Sequence, residues 1–105
     1  MTKEELRDYR SIKQELTTLD VLARKLERHN DAQLAALYDQ KREELAGQLQ
    51  RIENALETLG PTERNLMRLR YIEGLSWQAV CQRIHYSWQQ THRIHKNALL
   101  KLKDQ

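Results

Sequence analysis

The chain has no phenylalanine, one proline, three glycines and one cysteine in 105 residues. So few chain breakers leave little material for the turns of a strand-rich protein, and they favour long helices. A single cysteine cannot form an internal disulfide and fits a reducing cytosol. No apolar run approaches the roughly 18 residues that span a bilayer, so a transmembrane helix and a membrane partner are excluded. The opening Met1-Thr2-Lys3-Glu4-Glu5 is charged at once, which argues against a signal peptide. There is no Gly-rich phosphate loop, no His-Glu-x-x-His and no evident acid pair, so no catalytic residue and no cofactor is assigned. The length suits one domain and leaves little room for a second.

What is present is charge, unevenly placed. Residues 1–59 carry ten Lys/Arg against twelve Asp/Glu, and residues 60–105 carry eight against three. Between Glu73 and Asp104 no acidic residue occurs. A one-sign stretch in an otherwise mixed sequence points to a polyanionic partner, with a solvated basic helix as the plainer alternative.

Gly60-Pro61 is the one strong break, and it divides the chain into 1–59 and 60–105. Before it, Thr2 and Glu5 form a capping box that starts a helix near Thr2. Ile12, Leu16, Leu19, Ala23 and Leu26 step by fours and threes, the spacing of a coiled-coil seam. His29-Asn30-Asp31 interrupts the run, and Asn30 or Asp31 can cap a new start. The next stripe runs through Leu34, Leu37, Tyr38, Leu45, Leu49, Ile52, Leu56 and Leu59. Two striped helices joined by a short polar turn predict an antiparallel hairpin with a coiled-coil-like seam. A hairpin alone cannot cover both stripes, so it packs on the rest of the chain or on a second copy.

After Pro61 the helices shorten. Pro61 suits a first helical position. A helix of about ten residues ends near Tyr71, with Leu66, Leu69 and Met67 inward, and Gly74 is placed to stop it in a left-handed conformation. Ser76 caps a helix from Trp77 to Ile84 that buries Ala79, Val80 and Ile84. His85-Tyr86 is a turn. Ser87 and Gln90 form a second capping box, opening a final helix from Trp88 to about Lys103. A short helix, a tight turn and a longer basic helix make a helix-turn-helix. Cys81 is small where the two helices cross, and Tyr86 supplies an apolar side chain to pin them. Thr91, Ile94, Ala98 and Leu102 form the inward stripe of the last helix, and Gln89, Gln90, His92, Arg93 and Lys96 fall on the other face. Gln suits adenine and Arg suits guanine in the major groove.

Residues 61–102 resemble region four of bacterial sigma factors. The Leu-Arg-Tyr, Gly-Leu-Ser, capping Ser and closing Ala-Leu-x-Lys-Leu elements stand at that family's spacing. Arg70-Tyr71-Ile72-Glu73-Gly74-Leu75-Ser76-Trp77, with Ile84-His85-Tyr86-Ser87 and Arg93-Ile94-His95, is closer still to phage and prophage late-transcription regulators of the ArpU/RinA type. The resemblance implies an all-α protein in which the hairpin of residues 1–59 self-associates and residues 60–105 bind DNA. It implies base contacts from Trp88, Gln89, Gln90, His92 and Arg93, with Lys96 on phosphate. Ser76 and Trp77 would meet the backbone at the start of the first helix, and Ser87 would sit at the head of the reading helix. His85 departs from the pattern, because many relatives carry Gly in this turn. Trp88 departs too, standing where a polar reader is usual; it either contacts a thymine methyl or packs over the turn.

The expected function is a sequence-specific DNA-binding regulator of phage or prophage late genes. It would act as a homodimer on double-stranded DNA in the bacterial cytoplasm, associated with the nucleoid. The alternative is a helical module that works through RNA polymerase or a sigma factor with weak DNA contact. A zinc site at Cys81, His85, His92 and His95 has suitable spacing, but packing and DNA roles account for these residues better, and no metal is assigned. Trp77 is either a core edge or a DNA contact. Arg64, Arg68 and Arg70 are either solvated or on phosphates.

Overall fold

The structure is a computed structural model that describes residues 1–104. It is all helical, with no strand among the described residues. The helices are α1 (Lys3–Arg7), α2 (Tyr9–Arg28), α3 (Ala32–Glu57), α4 (Pro61–Met67), α5 (Trp77–Ile84) and α6 (Trp88–Leu102), with a π-helical turn over Arg68–Ile72 between α4 and α5. The molecule measures 55 × 28 × 19 Å. The long helices set the length, and the short ones gather at one end.

Thr2 caps α1 by accepting from the Glu5 N–H at 3.2 Å. The expected single first helix is broken at Asp8, and the break lets both Leu6 and Tyr9 reach the core. The hairpin turn follows the sequence closely. Asn30 takes a left-handed backbone with φ 59°, which Asn tolerates better than most residues. The Asp31 carboxylate accepts from the Leu34 N–H.

The α2 seam is as expected, with Leu19 and Ala23 buried and Ile12, Leu16 and Leu26 half-buried. The α3 stripe needs correction at its start. Its inward positions are Ala35, Tyr38, Arg42, Leu45, Leu49, Ile52 and Leu56, and Leu59 just beyond the helix continues the spacing. Extended back from Leu59 in steps of three and four, that series reaches Ala35 and leaves Leu34 and Leu37 to either side, both exposed. Ala23 and Ala35 are buried near the turn, where small side chains allow close helix approach. Arg42 occupies a seam position and is held by the carboxylates of Asp20 on α2 and Asp39 on its own helix.

The other end of the hairpin is sealed by the short helices. One core joins Leu6, Tyr9, Ile52, Leu56 and Leu59 to Leu66, Met67, Leu69, Tyr71, Val80, Ala98 and Leu102. It runs across the break at Gly60-Pro61, where Gly60 caps α4 and Pro61 takes its first position. The Tyr9 hydroxyl donates to Glu53 on α3 at 2.7 Å, and burial, followed by this bond, pushes its pKa up to about 12. Arg64 and Arg68 pair with Glu57, and Lys101 pairs with Glu63. These exposed pairs contribute about 1 kcal/mol or less each.

The π-helical turn is the element the sequence did not announce. The Glu73 N–H reaches back five residues to the Arg68 carbonyl at 2.9 Å. The widened turn buries both Leu69 and Tyr71 and brings Arg70 beside Trp77. It ends at Gly74 with φ 74°, and the Leu75 N–H returns to the Leu69 carbonyl at 3.0 Å. That six-residue return is the bonding of a Schellman stop, which glycine makes without a Cβ penalty.

Candidate nucleic-acid interface

The helix-turn-helix begins at Ser76, whose hydroxyl accepts from the Ala79 N–H at 3.2 Å and caps α5. Val80 is fully buried, and Ala79, Cys81 and Ile84 are half-buried against the neighbouring helices. The turn residue His85 lies in the left-handed region, φ 61° and ψ 35°. Left-handed backbone there explains why the turn favours Gly. Tyr86, expected to pin both helices, leaves much of its ring in solvent.

Ser87 opens α6 with a full capping box. Its hydroxyl accepts from the Gln90 N–H, and the Gln90 side-chain oxygen accepts from the Ser87 N–H, each at 3.2 Å. The helix then divides by face. Thr91, His95, Ala98 and Leu102 are buried, while Gln89, Gln90, Arg93 and Lys96 are exposed. No carboxylate pairs with Arg93 or Lys96 among the described residues. A core-anchored helix thus presents two amides and two cations outward. Gln90 is only partly free, since its side-chain oxygen serves the cap.

Two expected base readers have another occupation. His92 is half-buried between two tryptophans, its ring 4.6 Å from Trp77 and 4.5 Å from Trp88. Its Nε2 is buried and unpartnered among the described residues. Trp77 is half-buried, lies 4.5 Å from the His95 ring and carries the Arg70 guanidinium at 4.8 Å. Trp88 leans on His92 yet remains 56% exposed. Rings therefore run in series from buried Tyr71 through His95, Trp77 and His92 to exposed Trp88. Such contacts fix α5 against α6 at the point where both helices start.

The inner end of the series is a hydrogen bond. The Tyr71 hydroxyl and His95 Nε2 lie 2.7 Å apart. Burial, together with the nearby cations Lys3, His92, Arg70 and Arg7, pushes the His95 pKa down to about 4. Burial also raises the Tyr71 pKa. Both groups are neutral at pH 7, as a shared hydrogen bond in a dry site requires.

Among the three arginines left open, Arg64 and Arg68 are engaged with Glu57, and Arg70 is fixed over Trp77 with its Nη1 donating to the Leu75 carbonyl at 2.8 Å. Among the described residues no three His, Cys, Asp or Glu side chains group as a metal ion would need. No helix there is long and apolar enough to cross a membrane. A cavity of about 250 Å³ opens beside Gly74 and Trp77, lined by Lys3, Arg7, Arg10 and Arg70. Three of those four cations come from the first ten residues, which motif reasoning passed over because the match to a DNA-binding unit starts far downstream.

Residues 55–104 match the family described as Sigma-70, region 4. No curated protein and no solved structure matches the chain. The end of α3 together with α4, α5 and α6 is therefore a sigma-70 region 4-like, DNA-binding helix-turn-helix.

Proposed function

We propose that this protein is a sequence-specific, DNA-binding regulator of transcription, of the kind that controls phage or prophage late genes. The observation that carries the reading is the outward face of α6, where Gln89, Arg93 and Lys96 stand in solvent while the opposite side is locked into the core. Gln89 and Arg93 are the base readers, since their side chains suit adenine and guanine edges, and Lys96 holds a phosphate. Ser76 and Ser87 present helix starts to the backbone. His92 spaces the two tryptophans, and Trp88 offers an apolar ring to the groove. The hairpin pairs two copies through its far end, where Val21, Leu22, Leu34 and Leu37 are exposed. Two copies would set their reading helices roughly 34 Å apart, one turn of DNA.

Selection from random duplex DNA, followed by band-shift titration at two salt concentrations, tests the reading. A complex should weaken with a log–log slope of about 0.9 per phosphate contact. Arg93→Ala should cost about 1–3 kcal/mol at a selected site and relax its preference at one base. Failure to retain any duplex at low salt would remove the reading. An RNA polymerase partner is favoured by one feature. Leu99 and exposed Leu100 line an apolar cleft with Met1 on the flank of α6, away from the reading face. If regulation survives Arg93→Ala with Lys96→Ala, contact with polymerase rather than base reading is the main mechanism.

A further inference from the structure

We infer that the first ten residues are part of the DNA-binding surface, and that Lys3, Arg7 and Arg10 join Arg70 in a pocket for one backbone phosphate. The inference rests on the DNA-binding reading and extends it to a segment outside the region 4-like unit.

The pocket is built rather than incidental. Its volume, about 250 Å³, holds a phosphate group with a few waters, and no carboxylate lines it. Arg70 is fixed on two sides, by its bond to the Leu75 carbonyl and by the Trp77 ring. Arg10 rests against Gly74, where a Cβ would collide with the guanidinium. Glycine at 74 thus serves the backbone turn and makes room for a cation. Lys3, Arg7 and Arg10 have no ion pair among the described residues. Gathering four cations around one hollow without counter-charge is unfavourable in the free protein and becomes favourable when an anion enters. The field of Lys3, Arg7 and Arg70 is felt inside the domain, where it helps hold His95 uncharged.

The location selects DNA as the source of the anion. The pocket borders Trp77, the first residue of α5, beside the start of α6. Lys3 lines this pocket and also the cleft that contains Lys96 of α6. A positive band therefore runs from Arg10 past Arg7 and Lys3 to Lys96. A duplex seated on α6 has a strand backbone alongside such a band. Break of the first helix at Asp8 serves the same end, since it keeps α1 folded over the helix-turn-helix instead of continuing the hairpin axis.

The test is band-shift titration of the full chain on its selected duplex at several salt concentrations, comparing wild type, Arg7→Ala/Arg10→Ala and Arg7→Lys/Arg10→Lys. The alanine pair should bind about tenfold or more weakly on every duplex, with the base preference unchanged. Its log–log salt slope should fall by about 1, the loss of one phosphate contact. The lysine pair should keep the slope. Unaltered thermal melting of the alanine pair shows that the fold is intact, as both side chains are exposed. A wild-type complex whose affinity and slope the alanine pair leaves unchanged would overturn the pocket alone. Absence of any wild-type complex would overturn the DNA reading and the pocket's ligand with it.

Discussion

His95 ties the pH response of the molecule to a single ring. It is buried against Tyr71 and Trp77, with its pKa near 4 in the folded chain against an ordinary value of about 6.5. The unfolded chain therefore binds an extra proton between these values, and stability from this group falls as pH drops from about 6.5 to about 4. Below that the loss levels off at roughly 3 kcal/mol. Urea denaturation at pH 7 and pH 4.5 should show the loss in wild type and much less of it in His95→Gln. A second residue-scale expectation concerns His85. A side chain in left-handed backbone costs about 1–2 kcal/mol, and glycine removes that cost while adding freedom to the unfolded chain. His85→Gly should raise stability by about 0.5–1 kcal/mol in thermal melts, whereas His85→Val should lower it.

At the scale of elements, helix starts decide where the interface residues stand. Ser87→Ala removes one half of the α6 capping box and should cost about 1 kcal/mol in denaturant titration. It should also weaken DNA binding, because Gln89 and Gln90 lie in the turn that would fray. Helix ends were legible in the sequence because caps are local. Thr2, Asp31, Ser76 and Ser87 each signal within three residues, and each accepts the bond its type implies. The π-helical turn was not legible, since nothing in Arg68-Leu69-Arg70-Tyr71-Ile72 departs from an ordinary helix pattern. Its cause is tertiary, the burial of Leu69 and Tyr71 together. The stripe of α3 was legible over its second half. It failed at Leu34 and Leu37 because leucines off the seam look the same in sequence as leucines on it. The ring series of Trp77, His92 and Trp88 escaped for a similar reason, as its partners come from two helices whose rotation no local signal reports.

At the scale of the whole molecule, the hairpin and the helix-turn-helix share one interior. Residues 60–105 alone would lose Leu6, Tyr9, Ile52, Leu56 and Leu59 from their core. Each such side chain is worth about 1.5–3 kcal/mol, so the sum exceeds the roughly 5–15 kcal/mol that holds a small domain together. The isolated fragment should give a weak, non-cooperative thermal transition by circular dichroism, while the full chain melts cooperatively. The charge split of the sequence is real on this scale, yet it places the boundary of the positive surface wrongly. Lys3, Arg7 and Arg10 belong to the half with more acids than bases and still join the basic end, because folding back of α1 carries them there.

The wide turn at Arg68–Ile72 amounts to one surplus residue in a helix. Excising one residue from it would let ordinary winding resume and rotate everything downstream by about 100° around the axis. Tyr71 would swing off His95, and Arg70 would leave its tryptophan. The reading helix would then point its amides along the protein instead of away from it. In this fold a single-residue deletion, with no change in composition or charge, is enough to re-aim the interface.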